Sequence, residues 1–289
     1  MGILDEIKND GVRNGTKIQN DDQKKLEGIL NKMFYCEKNI EEETKFVNMV
    51  MTRGLESTER IGLHASAMIK GDKEFCIRQQ VLSLIYKQLQ GEQIQVGLKR
   101  IFEEGNAIHE KWQRLFIRAG YAKANTLDRT RFDNEYMLSF TPDIVCRIPE
   151  FYDGAMVGEI KSVNTFQFKN MTSHPSAKKQ LQFYMSELIK QAKLKNKWNG
   201  KDYLKGFVLC EDKNTQDFKV FIYDFDKDFV GPFIDRCEEV SAYYQKAITE
   251  NKMVGRHKKC DSYSCTMAEK CPMKDACWDK NNGKIKIGC

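Results

Sequence analysis

Apolar residues in this chain change their period several times, and each change marks an element. Across residues 1–60 charge is dense, and Leu26, Ile29, Leu30, Met33 and Phe34 recur at spacings of three and four, which predicts amphipathic helix. Residues 63–86 read the same way around Phe75-Cys76-Ile77-Arg78 and Val81-Leu82. Over 93–116, Val96, Leu98, Ile101, Phe102, Ile108, Trp112, Leu115 and Phe116 keep mostly helical spacing, interrupted at Gly105. The pattern then shortens. Segments 136–140, 140–148 and 155–163 are short apolar runs, the last two separated by 149–154 with its Asp153-Gly154 turn signal, so they predict strands. Residues 177–193 return to a helical repeat, 206–210 and 218–223 predict two more strands as antiparallel neighbours, and a helix is expected over 229–249.

Side chains two apart on a strand share a face, so Glu159 and Lys161 project together while Met156, Ile160 and Val163 are apolar. Asp143, after Pro142 on the preceding strand and paired with Glu159, makes two carboxylates converge. That suits a hard divalent cation with oxygen ligands, such as Mg2+ or Mn2+, with the Lys161 ammonium alongside. Glu150 and Asp153 are competing acids, but they fall outside the apolar frame and read as turn residues. Gln180 and Tyr184, four apart on a helix, present two hydrogen-bonding tips side by side.

Composition narrows the setting. With 289 residues, 41% of them hydrophobic, the chain can bury a substantial core as one large domain or a domain with appendages. No run of about 18 apolar residues occurs and no signal-like apolar segment opens the chain, so the expectation is an intracellular, cytoplasmic protein with no membrane partner. The 47 Lys and Arg against 41 Asp and Glu leave a charge of +6, which permits a polyanionic partner without requiring one. Lysines 190, 193, 195, 197, 201 and 205 would contact phosphates if DNA binds, although such runs more often form a solvated face. In a reducing compartment ten cysteines are not a disulfide framework. Cys36, Cys146, Cys210 and Cys237 read as ordinary thiols, whereas Cys260, Cys265, Cys271 and Cys277, four within eighteen residues, signal a metal site. Four thiolates satisfy a structural Zn2+, and they equally satisfy an iron–sulfur cluster, whose ligands can come from distant parts of a chain.

Pro142-Asp143 followed after a gap by Glu159-x-Lys161 resembles the core of the PD-(D/E)XK nucleases. Gly105-x-x-x-His109 ahead of it, Gln180-x-x-x-Tyr184 after it, and Cys271-Pro-x-x-x-x-Cys277 with Cys76-x-Arg78 far upstream are similar to the RecB-like branch that carries a four-iron cluster. That branch includes AddB-type nuclease domains, the CRISPR-associated exonuclease family numbered four, and phage relatives. The resemblance spans about residues 63–278 and rests on the order of its elements. It departs from the family where Cys265 precedes Cys271 by five intervening residues rather than two, and where Thr141-Pro142 stands in place of a frequent glycine.

The resemblance implies an α/β fold, a restriction-endonuclease-like mixed central sheet flanked by helices with an iron–sulfur-stapled helical region. Residues 61–289 would form the nuclease domain, with its cysteine cluster near 255–280, behind a helical extension over 1–60. His109, Asp143, Glu159 and the carbonyl of Ile160 would hold one or two Mg2+ or Mn2+ ions, and Gly105 would admit a close backbone or substrate. Lys161 would position or activate the attacking water, and Gln180 and Tyr184 would orient the lysine or a phosphate. Cys76, Cys265, Cys271 and Cys277 would hold a 4Fe–4S cluster, with Cys260 as rival to Cys265 and Zn2+ as the alternative metal. The implied activity is exonucleolytic hydrolysis of phosphodiester bonds at single-stranded DNA ends, 5′ to 3′, in recombination, repair, phage replication or CRISPR adaptation. The implied protein partner is a second copy or a recombination or replication protein. Two other classes compete: an inactive DNA-binding module and a zinc-stapled interaction protein.

Overall fold

The computed structural model describes residues 15–53, 62–86, 96–127 and 129–279. Residues 1–14 and 54–60 of the expected extension, 93–95 of the third helical segment and 280 of the cysteine region lie outside the described residues, as do the side chains of Val96, Leu98 and Ile101. In chain order the elements are α1 (Gly15–Met33), α2 (Ile40–Arg53), β1 (Leu63–His64), α3 (Ala65–Met68), α4 (Ile77–Ile85), α5 (Val96–Arg118), β2 (Arg131–Asp133), β3 (Leu138–Phe140), β4 (Ile144–Arg147), β5 (Ala155–Val163), α6 (Thr165–Asn170), α7 (Pro175–Leu194), β6 (Lys205–Asp212), β7 (Phe218–Asp224), α8 (Lys227–Glu250), α9 (Thr266–Glu269) and α10 (Lys274–Trp278). They form two compact units. One comprises the described residues of Met1–Ser57, Gln95–Thr130 and Thr141–Val230, the other those of Thr58–Ile94, Arg131–Phe140 and Gly231–Cys289.

The first unit is built on a mixed sheet of order β4-β5-β6-β7, flanked by helices as expected. β5 is antiparallel to β4 and parallel to β6, and β6 is antiparallel to β7. Parallel neighbours need a crossover, which α6 and α7 supply. Alternation sorts β5: Met156 and Ile160 enter a core with Trp112 and Phe116 of α5, Phe207 and Leu209 of β6, and Leu26, Leu30 and Met33 of α1. Glu159 and Lys161 take the opposite face, on which α7 packs. Between the two sets, Gly158 lets β5 close on its neighbours, since a Cβ there would lie 2.4 Å from the Phe207 ring and 3.1 Å from Ile144 Cβ.

Buried acids tie α5 in place. Glu43 of α2, 6% exposed, accepts from Arg118 at 2.6 and 2.7 Å and from Arg114 at 2.9 Å. Glu211 of β6, 1% exposed, accepts from Lys111 Nζ and Trp112 Nε1, each at 2.6 Å. A carboxylate is tolerated at such depth only when its oxygens are bonded in this way. α7 begins with Pro175 in the first turn, where a missing N–H is harmless, and His174 Nδ1 caps it by accepting the Ala177 N–H at 3.2 Å.

In the second unit β1 runs parallel to β3, which is antiparallel to β2, and α4 meets α10 through Leu82, Met273 and Cys277. Three expectations are corrected. The strand expected from residue 136 begins at Leu138, because Met137 completes a turn at φ 51°. Phe34 lies past the end of α1 and is 44% exposed, meeting the first unit's core by an edge contact of its ring with Trp112 at 5.5 Å. The lysine run is a solvated face only in part: Lys195, Lys197 and Lys201 are exposed, Lys201 paired with Asp153, whereas Lys190 is buried, Lys193 lies over the Trp198 ring and Lys205 pairs with Asp224. Glu150 and Asp153 are exposed turn residues, as expected. Among the described residues no helix is long and apolar enough to cross a membrane.

Candidate functional site

Asp143 sits immediately before β4, where its carboxylate reaches two other elements. Oδ2 accepts the Ile160 N–H of β5 at 2.8 Å, and Oδ1 lies 3.2 Å from His109 Nδ1 of α5. N–H and C=O of one strand residue point to the same edge, so the Ile160 carbonyl opens on that side as well. Gln113, one turn after His109, donates Nε2 to the Asp143 carbonyl at 2.8 Å and so holds the backbone from which the carboxylate projects.

Glu159 is fully buried. Its Oε1 accepts Lys161 Nζ at 2.5 Å, while its Oε2 is buried with no hydrogen-bond partner among the described residues. Burial, and after it the charge of Asp143, push the Glu159 carboxyl up to about 8. Burial alone would lower the Lys161 ammonium, but the Glu159 and Asp143 carboxylates outweigh it and raise it. Lys161 Nζ also donates to Gln180 Oε1 at 3.3 Å, and Gln180 Nε2 donates to the Tyr184 hydroxyl at 2.8 Å. Burial first, then the Glu159 charge, keep the Tyr184 phenol well above its ordinary range, so it remains a neutral hydroxyl. His109, Asp143, Glu159, Ile160, Lys161, Gln180 and Tyr184, contributed by α5, the approach to β4, β5 and α7, thus form one neighbourhood.

Sequence reasoning missed the supports of that neighbourhood. Gln113 and the Lys111–Trp112–Glu211 clamp carry no local signal, because their partners lie far away in the chain. His174 drew no functional reading in sequence, and burial followed by the Lys161 charge lowers its imidazole. At Gly105 a Cβ would meet Ser162 Oγ at 3.7 Å, an ordinary contact, so of the two approaches expected there no close backbone is found among the described residues.

Cys76 and the four cysteines over 260–277 lie in the second unit, whereas Cys36, Cys146 and Cys210 lie in the first. Cys76 at the start of α4, Cys260, Cys271 and Cys277 of α10 line one cavity with Gln79 and Trp278. Cys265 does something else: its Sγ caps α9, accepting the Ala268 N–H at 3.3 Å, and lies 3.9 Å from Cys260 Sγ. That N–H lowers the Cys265 thiol. Burial, then the Cys265, Cys277 and Cys76 sulfurs, push Cys260 up to about 11, and burial together with Cys76 and Cys277 raises Cys271. Thiols that oppose one another's ionisation in this way become thiolates together beside a cation. Among the described residues, no group of three or more His, Cys, Asp or Glu side chains is already arranged as the shell of a single ion.

No protein-family model matches the chain, and no curated protein matches it in sequence. Among solved structures it is similar to the alkaline exonuclease LHK-Exo from Laribacter hongkongensis, at 16% identity and a TM-score of 0.41 over 66% of this chain and 91% of that one. The LHK-Exo complex with dAMP gives 16% identity and a TM-score of 0.44 with the same coverage. The structure of SSO0001 gives 13% identity and a TM-score of 0.39 over 81% of this chain and 95% of that one. Similarity at this level leaves the function to be argued from the site itself.

Proposed function

We propose that the chain is a metal-dependent deoxyribonuclease that hydrolyses phosphodiester bonds at the site formed by Asp143, Glu159 and Lys161. One observation carries the reading: the Glu159 Oε2 atom is buried and, with both acids ionised, has no hydrogen-bond partner among the described residues, while it lies close enough to Asp143 for a proton shared by the two acids to bond them. Leaving a buried polar atom unpaired costs on the order of 1–3 kcal/mol, more for a charged one, and a cation between two converging acids removes that cost. The donor set of Asp143, Glu159, His109 and the Ile160 carbonyl, mostly oxygen with one imidazole, fits Mg2+ or Mn2+. When bound, such an ion supplies Lewis-acid polarisation of a phosphoryl oxygen.

The chain's own residues do the remaining work. Lys161 stays an ammonium, held between Glu159 and Gln180, and from there it orients a water or neutralises charge developing on the phosphate. Tyr184 fixes Gln180, which in turn fixes the lysine, and Gln113 fixes Asp143. Single-stranded DNA ends as substrate and 5′ to 3′ polarity follow from the resemblance of the ordered motifs to RecB-like nucleases. The same reading gives the thiols a 4Fe–4S cluster, with Zn2+ as the alternative. The cavity wall favours Cys260 over Cys265 as the ligand that joins Cys76, Cys271 and Cys277.

Lys161→Ala tests the site. Cleavage of end-labelled single strands with Mg2+ or Mn2+ should fall by about 10²–10³ or more while the fold persists. Unchanged cleavage in this variant refutes the assignment, and strand binding without cleavage by the unaltered protein identifies a DNA-binding module instead.

A further inference from the structure

Arg78 lies on α4, two residues after Cys76, and is only 7% exposed. Its Nε donates to Cys277 Sγ at 3.2 Å, its Nη1 to the Val254 carbonyl at 2.6 Å and its Nη2 to the Cys277 carbonyl at 3.4 Å. Among the described residues these partners are two carbonyls and a sulfur, and none is a carboxylate. A guanidinium does not give up its proton, and a buried charge lacking a counter-charge is strongly destabilising. Of the three groups that Arg78 touches, only the Cys277 thiol can become an anion; the Asp72 and Glu239 carboxylates share a cleft with Arg78 but accept none of its hydrogen bonds among the described residues, and Asp72 pairs with Arg236. Conversely, four thiolates around a divalent ion or a cluster core leave surplus negative charge; Arg256 and Lys274 line the cavity as well, but Arg78 is the buried cation that donates to one of its sulfurs.

We propose that Arg78 is the counter-charge of the thiolate-held group, donating directly to the Cys277 sulfur and so slowing exchange at that ligand. The proposal rests on the reading that the cavity thiols bind a metal or cluster. Arg78 is a positioning residue, since it acts through Cys277. Arg256 is the built-in contrast: it is exposed, stacks 4.0 Å over the Trp278 ring and donates to the same Cys277 carbonyl at 3.0 Å, with no bond to the sulfur. Donation to a ligand sulfur tunes both the lifetime and the potential of what the sulfur holds.

The test uses the full chain purified without oxygen as wild type, Arg78→Gln, Arg78→Lys and Arg256→Gln. Release of the bound group to a chelator is followed by iron, sulfide and zinc analysis and, for iron, by absorbance near about 400 nm. Arg78→Gln should release the group about ten- to a hundredfold faster, Arg78→Lys to an intermediate degree, and Arg256→Gln near the wild-type rate. With a cluster present, the reduction potential of Arg78→Gln should move to more negative values. Release from Arg78→Gln at the wild-type rate, or an equal effect of Arg256→Gln, overturns the role of Arg78 while leaving the cluster reading intact. Where Arg78→Gln does not fold, an unchanged lifetime in Arg78→Lys overturns it equally. Zinc in place of iron and sulfide overturns the cluster alone, and the release rates still decide Arg78. A wild-type chain with neither overturns the thiol-site reading and this proposal with it.

Discussion

Glu159 keeps a proton that an unfolded chain gives up above its ordinary carboxyl value of 4.5, because burial and Asp143 push it up to about 8. The native state therefore binds the extra proton, and the metal-free fold loses stability as pH rises from about 4.5 to about 8. On the proposed function, a divalent ion would take the place of that proton. Mn2+ binding should accordingly tighten with rising pH and release a proton below about pH 8, with release fading above it. Calorimetric titration in buffers of differing ionisation enthalpy reads the proton, and its absence near about pH 6.5 contradicts the assignment of Glu159 as a ligand. Much at this scale was legible beforehand: a two-residue spacing put Glu159 and Lys161 on one face, and a four-residue spacing aligned Gln180 with Tyr184. The unpaired Oε2 was not legible, because burial on both faces of β5 depends on what packs there.

α5 matters because it carries His109 and Gln113 to Asp143, and the Glu43 clamp from α2 holds its far end. Hydrogen bonding from Arg118, reinforced by Arg114, keeps the Glu43 carboxyl below its ordinary value. Its contribution is therefore present above about pH 4.5 and is lost as pH falls through the lowered native value. Glu43→Gln should cost about 1.5–3 kcal/mol near neutral pH and little in acid, where the wild type has surrendered the same bonds. Denaturant unfolding near about pH 7 and about pH 3 measures this, and an equal deficit at both excludes the ion pairs as its source. Long elements with a clear period were readable in advance, among them α7 and the β6–β7 pair. The two residues of β1 and the three of β2 are too short to display a period, and nothing local specifies that β5 runs parallel to β6.

Across the whole molecule, the thiol cavity joins parts of the chain that are remote in sequence: Arg78 and Cys277 lie 199 positions apart. A group bound there makes its binding free energy part of the folding free energy of the second unit. Stripping it should remove hydrogen-exchange protection from α4 and α10 while β5 and β6 keep theirs. Cys260→Ser should lose the bound metal, and Cys265→Ser should retain it. Metal analysis of the two variants checks this directly, and the reverse order would make Cys265 the ligand and Cys260 the bystander. Local period and residue type were enough to assign an α/β chain, a pair of acids with a lysine, and a set of cysteines suited to metal, because side-chain direction in a helix or strand is a local property. Tertiary packing alone brought His109 against Asp143 and set Cys260 with Cys76, Cys271 and Cys277 along one cavity wall, with Cys265 Sγ 3.9 Å from Cys260 Sγ. Those are separations between distant segments, set by strand register and by which helix faces fill the core, and a local pattern carries no record of them.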